Sequence, residues 1–242
     1  DGTWLLTKDV YTMRERWYNS INGSFSNNYK RSNVHRILNA SGGNNLLTGL
    51  ESSIRTQIKQ VKIPYRSGEG TDKTISSGSN GLSTGAFLLS AREVGFTKSN
   101  CNSKNYPDIS DGFIDDGVKL DYFRNSNGTD EKISEYAGSP VKWGLRTPFT
   151  SYSDRILCVA EDGLVRSVPC DYACGVRPAF ILPSTLLVSS DGSVILNTGP
   201  TVPPSIIIPN SINGGSVITI SWGASKPSAD NLEGYIVERS TD

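Results

Sequence analysis

The chain is poor in the residues that most enzyme and metal chemistry uses. It has four cysteines, one histidine (His35) and one methionine (Met13) in 242 residues. A single histidine leaves little material for a His-paired zinc site or a Ser–His relay. Four cysteines are too few for a disulfide-dependent scaffold of this length, so most of Cys101, Cys158, Cys170 and Cys174 read as thiols. The CDYAC spacing leaves open one loop disulfide between Cys170 and Cys174. Net charge is also lacking, with 24 Lys+Arg against 24 Asp+Glu. No overall field exists to draw in nucleic acid or an anionic membrane surface. No apolar run approaches the roughly 20 residues that span a bilayer, so membrane insertion is not expected. There is no signal-peptide pattern, and the chain opens at Asp1 with Met13 as its only methionine, which suggests a trimmed N-terminus. Nucleophile-elbow, H-E-x-x-H and phosphate-cradling glycine motifs are missing too.

What the sequence does contain is glycine, with 24 residues set among many Ser and Asn, and a hydrophobic share of 36%. That texture indicates a loop-rich, β-containing domain. WLLTKDVY (4–11) begins as a strand and runs into YTMRERWYNSI, read as helical. SNVHRILN (32–39) places Val34, Ile37 and Leu38 at helical spacing, with Ser32 or Asn33 as N-cap and His35 as an exposed or core residue. LLTGLESSIRTQIKQVKIP (46–64) reads as an amphipathic helix, Leu46, Leu47, Leu50, Ile54 and Ile58 on one face and Arg55 and Lys59 on the other. Residues 66–85 form a polar surface excursion, and AFLLSAREVGF (86–96) returns as a strand with Glu93 and Gly95 at its turn. IDDGVKLDYFR (114–124) suggests another short helix. VKWGLRT, ILCVAEDG, LVRSV, GVRPAFILP and SVILN follow as strands, with EDG (161–163) and SDG (190–192) as turn signals. Helices first and antiparallel strands later give an α+β class.

Near residue 200 the composition shifts. TGPTVPPSIIIP is a proline-marked linker, followed by VITISWG and GYIVERS, where Trp222 ends one alternating strand and Tyr235 begins another. Residues 202–242 resemble the opening of a fibronectin type III β-sandwich, about three of its seven strands. The expected organisation is one domain over 1–199 and a linker plus incomplete sandwich over 200–242, with the natural chain continuing past Asp242. The ordered segments DGTWLLTKDVY, SNVHRILN, IKQVKIPYRSG, FLLSAREVGF, WGLRTP and GVRPAFILPSTLL resemble an uncharacterised domain family of clostridia, related bacteria and their phages and prophages. Relatives usually carry a strand-like segment before DGTWLL and fibronectin repeats after the domain. The helix-helix-then-sheet order is similar to the C-type-lectin-like fold, which presents variable binding loops on some phage adhesins; this step is analogy of fold. The sequence departs from the family pattern at Gly144, at Cys158 where relatives often carry an aromatic, and in CDYACGV. These departures fall between the two framing motifs, where a recognition loop would vary.

Two arginine motifs stand out. Arg146 and Arg177 are suited to clamp a carboxylate or phosphate, but each sits inside an apolar strand next to proline or Thr-Pro. Together with Trp143, and with Trp222 and Tyr235 in the tail, they read as structural frame. The ligand-binding candidates are Phe149, Ser151, Tyr152, Asp154, Arg155, Asp171 and Tyr172, a mixture of rigid aromatic area and adaptable polar groups. Asp108, Asp111, Asp115 and Asp116 lack EF-hand spacing and read instead as an acidic helix start; calcium is not favoured and no cofactor is expected. The resemblance implies a non-catalytic structural, tail or decoration protein on a virion or extracellular particle of a Gram-positive host. Its implied partners are other virion proteins and a host-surface glycan, with copies of the chain assembling in the particle. The alternatives are a cell-wall or glycan hydrolase, built on a spaced carboxylate pair, and a bacterial surface adhesin.

Overall fold

The computed structural model describes residues 2–17, 26–40, 46–99, 101, 107–123 and 130–184, plus short strands at 186–188, 194–196, 206–207 and 221–222. The chain divides into two compact units, residues 1–183 and 184–242. The composition shift at residue 200 falls inside the second unit. The architecture is mixed helix and sheet, rich in strands, with few and short helices.

Two sheets organise the first unit. One has three strands in the order Thr3–Leu6, Pro178–Leu182, Ala86–Leu88, all antiparallel. All five residues of the central Pro178–Leu182 strand are buried, which explains why PAFIL is apolar at every position rather than alternating. The other has five strands in the order Val165–Pro169, Arg155–Val159, Trp143–Pro148, Ala173–Val176, Thr12–Arg16. Trp143–Pro148 pairs antiparallel with Arg155–Val159 and meets Ala173–Val176 in parallel at Trp143 and Gly175. The Asp-Gly turn signal is realised in the hairpin between 155–159 and 165–169. Gly163 takes φ +73°, and Asp162 Oδ1 accepts from the Leu164 N–H at 3.0 Å.

The sheets meet at a corner. Ala173–Val176 belongs to the larger sheet and Pro178–Leu182 to the smaller, with Arg177 alone between them. The N-terminal segment follows the same corner, since the Thr7 N–H donates to Pro178 O at 3.1 Å and the Tyr11 N–H to Val176 O at 2.8 Å. Here YTMRERWYNSI departs from its helical reading: Thr12–Arg16 is a strand paired with Ala173–Val176. The unpaired edge of the larger sheet supplies backbone partners that outweigh a weak local helical preference.

The amphipathic helix expected over 46–64 is also absent. Two four-residue helical turns, Leu46–Gly49 and Ser52–Arg55, give way to the Val61–Ile63 strand, which pairs with Leu82–Thr84. Gly49 weakens the helix where it breaks, and β-branched Val61 and Ile63 find a strand partner. Among the described residues of 114–124 there is one 3₁₀ turn, Asp121–Phe123, in place of a helix. The AFLLSAREVGF strand is shorter than expected, Ala86–Leu88, and ends in a turn in which Ser90 and Glu93 cap one another.

The longest helix among the described residues, Asn33–Asn39, does form, capped by Ser32 through the His35 N–H at 3.0 Å. Its Asn39 side chain latches the start of the Ala86–Leu88 strand. Oδ1 accepts from the N–H groups of Gly85 and Ala86, and Nδ2 donates to Ala86 O at 2.8 Å. His35 is half-buried against the Tyr29 ring, and burial lowers its pKa. In the second unit, Leu186–Val188 pairs with Val194–Leu196, and Ile206–Ile207 with Ser221–Trp222. Tyr235 and the SDG signal at 190–192 lie outside the described residues.

Candidate functional site

The loop that follows WGLRTP is held from behind by a dense set of backbone contacts. Phe149 is only 2% exposed, so its ring is a support and not a contact surface, contrary to its place among the ligand candidates. A Cβ on Gly112 would lie 2.1 Å from that ring, so the glycine makes the close approach possible. Gly112 O also accepts from the Thr150 N–H at 3.0 Å and from its hydroxyl at 3.1 Å. Buried Asn27 donates from Nδ2 to Tyr152 O at 2.8 Å and from its backbone to Ser153 O at 3.2 Å. Arg66, itself buried, donates to Asn27 O at 2.9 Å and to Gly70 O at 3.1 Å, and also bonds the Asn27 side chain.

With these carbonyls engaged inward, the side chains of Ser151, Tyr152 and Asp154 are exposed. Tyr152 leans on Phe149, ring centroids 5.6 Å apart, and the Arg155 guanidinium lies 5.6 Å from the Tyr152 ring. The second predicted segment adjoins this loop: the Cys170 N–H donates to Asp154 O at 2.7 Å. Asp171 and Tyr172 are exposed, and Lys142 Nζ lies 5.7 Å from the Tyr172 ring. Five of the seven predicted ligand residues therefore lie exposed on two adjoining loops, Arg155 is half-buried at the start of the strand that follows the first, and Phe149 lies beneath.

The two framing arginines have different surroundings. Arg146 is buried and uses every N–H of its fork. Nε donates to Pro64 O at 3.0 Å, Nη1 to Leu88 O at 2.9 Å and Glu93 Oε2 at 2.5 Å, and Nη2 to Glu93 Oε1 at 2.6 Å and Asp116 O at 3.0 Å. Burial alone would lower its pKa, but the bidentate Glu93 carboxylate outweighs that effect and the net shift is upward. Asp116 lies in the same interior and takes the Thr147 hydroxyl at 2.9 Å. Desolvation pushes its pKa up to about 7, against the pull of Arg146 and with added repulsion from Glu93. The acidic-helix-start reading of 107–117 is thereby replaced, because Asp116 is a core group and Asp115 is an exposed partner of Arg92 at 3.0 Å. Among the described residues no three His, Cys, Asp or Glu side chains converge as a metal site.

Arg177 stacks on Trp143, guanidinium 5.0 Å from the ring centroid, and donates from Nε to Thr7 O at 2.9 Å. Its Nη1 has no hydrogen-bond partner. All four cysteines are free and buried, so the Cys170–Cys174 option is not realised. Cys174 instead hydrogen-bonds Cys158, and that bond together with burial raises the Cys158 pKa well above the usual thiol range.

Several supporting residues carry no local signature. Asn27, Arg66 and Gly112 come from distant segments, and only folding brings them under the loop. In sequence Glu93 reads only as the turn of a strand; the S-A-R-E spacing of 90–93 is a capping signal that could have marked it, though not as the partner of Arg146.

Fold and site together describe a strand-rich domain of mixed helix and sheet in which buried Asn27 and Arg66 hold one of two adjoining, exposed tyrosine-bearing loops from behind. The profile described as "Domain of unknown function (DUF6273)" matches residues 1–184, and the chain belongs to that family. No curated protein and no solved structure matches it.

Proposed function

We propose that this chain is a non-catalytic structural or adhesion protein of a phage or prophage virion, or of a tail-like particle, and that its first unit binds a host-surface glycan. The observation that carries this reading is the loop pair around Tyr152 and Tyr172, 49% and 45% exposed, on backbone that the interior holds in place. Rigid tyrosines with Ser151, Asp154, Asp171 and Arg155 at their sides supply stacking area and hydrogen bonds at low entropic cost, as sugar recognition requires. The resemblance to a phage-associated family and the fibronectin-like tail as spacer support the particle setting. Other virion proteins are the neighbours this setting implies, and repeated copies of the chain would add avidity.

The test is retention of the purified protein on intact Gram-positive host cells and on isolated cell-wall glycan. Tyr152→Ala and Tyr172→Ala should each weaken retention about tenfold, the cost of about 1.4 kcal/mol per lost aromatic contact, with unchanged melting temperature. Equal retention by the double variant would overturn the assignment of the loops. Release of soluble sugar or peptide from the wall would favour the hydrolase alternative. A purified particle without the polypeptide would remove the virion setting.

A further inference from the structure

Two cavities of about 540 and 270 Å³ lie at the sheet corner, and Arg177, Lys8 and Tyr122 line both. The larger is walled by Trp4, Leu6, Leu89, Leu120 and Phe123, with Arg177 as its buried cation. Its volume lies in the range of sites that enclose small organic ligands. Lys8 and Asp121 also line it, but both are exposed, so water screens their charges.

Arg177 is only 2% exposed, yet it is incompletely partnered. Nε is satisfied by Thr7 and one face of the guanidinium by Trp143, while Nη1 has no acceptor. Among the described residues no carboxylate lies within ion-pairing distance of it. Asp9 acts on it only through space, and the Tyr122 hydroxyl lies against the guanidinium as a neutral acceptor. A buried guanidinium left in this state costs free energy that an anion on the same fork would recover. Arg146, in the same domain, shows the satisfied alternative, with a bidentate carboxylate.

We propose that the larger cavity is a binding site for a small organic monocarboxylate with an apolar body. The carboxylate displaces the Tyr122 hydroxyl that lies against the Arg177 guanidinium, exchanging that contact for a charge-assisted pair. The body lies along Trp4, Leu6, Leu120 and Phe123. Charge and shape select this class: one buried cation matches a monoanion, a planar fork matches a carboxylate, and the apolar walls disfavour a free sugar. Trp4 and Tyr122, 41% and 59% exposed, stand at the mouth where such a ligand would enter. This site is separate from the Tyr152–Tyr172 loops and does not depend on their role.

The experiment titrates the full chain with octanoate and 3-phenylpropanoate, and with octan-1-ol and 3-phenylpropan-1-ol, by calorimetry. At least one acid should bind with Kd below about 1 mM, and at least tenfold more tightly than its alcohol. Arg177→Met should abolish that preference and leave the alcohol's affinity unchanged. Arg177→Lys should restore part of it, because a point charge replaces the fork. Trp4→Ala should weaken acid and alcohol alike, which keeps the test decisive if Arg177→Met fails to fold. Tyr152→Ala should bind both as wild type does. Acid and alcohol of equal affinity in the wild type would overturn the proposal, and so would the absence of binding by either acid at 5 mM.

Discussion

Arg146 and Arg177 look alike in sequence, each an arginine in an apolar stretch close before a proline, and their fates differ because of what folding brings to them. Arg146 meets Glu93 and three carbonyls, so removing the acid leaves a buried charge unpaired. Glu93→Ala should lower unfolding free energy by about 3–5 kcal/mol in a urea titration. Replacing both residues by apolar side chains of similar volume should cost less than Glu93→Ala alone, because no charge is then left buried. Asp116 gives the same interior a pH dependence. Its pKa in the fold is about 7, above that of an unfolded chain. The stability tied to its protonated form is therefore complete below about pH 4 and is lost as pH rises through about 7. Asp116→Asn removes this titration. Relative to that variant, the wild type should lose at least about 1 kcal/mol between pH 4 and pH 8, measured by urea unfolding across the range.

At the scale of elements, strand pairing decided most of what local pattern left ambiguous. Gly144 within the Trp143–Pro148 strand and Gly175 on the strand beside it have opposite tolerance. A Cβ at Gly175 would lie 2.8 Å from both Val10 methyls and 2.9 Å from Lys142 O, whereas at Gly144 its nearest neighbour is 3.7 Å away. Gly175→Ala should destabilise by about 1–3 kcal/mol, and Gly144→Ala should be neutral or slightly stabilising, as thermal melts would show. The strands from 143 to 182 were legible because their apolar runs are bounded by Asp-Gly and proline signals that act locally. The helical readings of 11–21, 46–64 and 114–124 fail over their described residues because the apolar spacing also fits extended chain. Lys59 donates to Ile181 O at 2.9 Å and Leu120 to Glu93 O at 3.0 Å, contacts across the fold that no window of sequence contains. The loop residues 151–155 and 171–172 were legible as a polar aromatic mixture, but the burial of Phe149 was not, since it depends on Gly112 from a separate segment.

At the scale of the whole molecule, the first unit carries both arginine motifs, the loop pair and the corner cavity within residues 1–183. A chain ending at Pro183 should unfold in one cooperative transition and keep the cell-wall retention of the longer chain; loss of cooperativity on truncation would show that 184–242 completes its core. The sequence by itself determined the balance of charge, the strands from 143 to 182, the Asp-Gly turn at 161–163 and the polar loops, because composition and local pattern act over a few residues. Only the tertiary structure decided which arginine is saturated, which aromatic is buried and where a cavity forms. Those outcomes depend on groups far apart in the chain, such as Glu93 with Arg146 or Thr7 and Trp143 with Arg177, meeting in an interior where an unmatched hydrogen bond is costly.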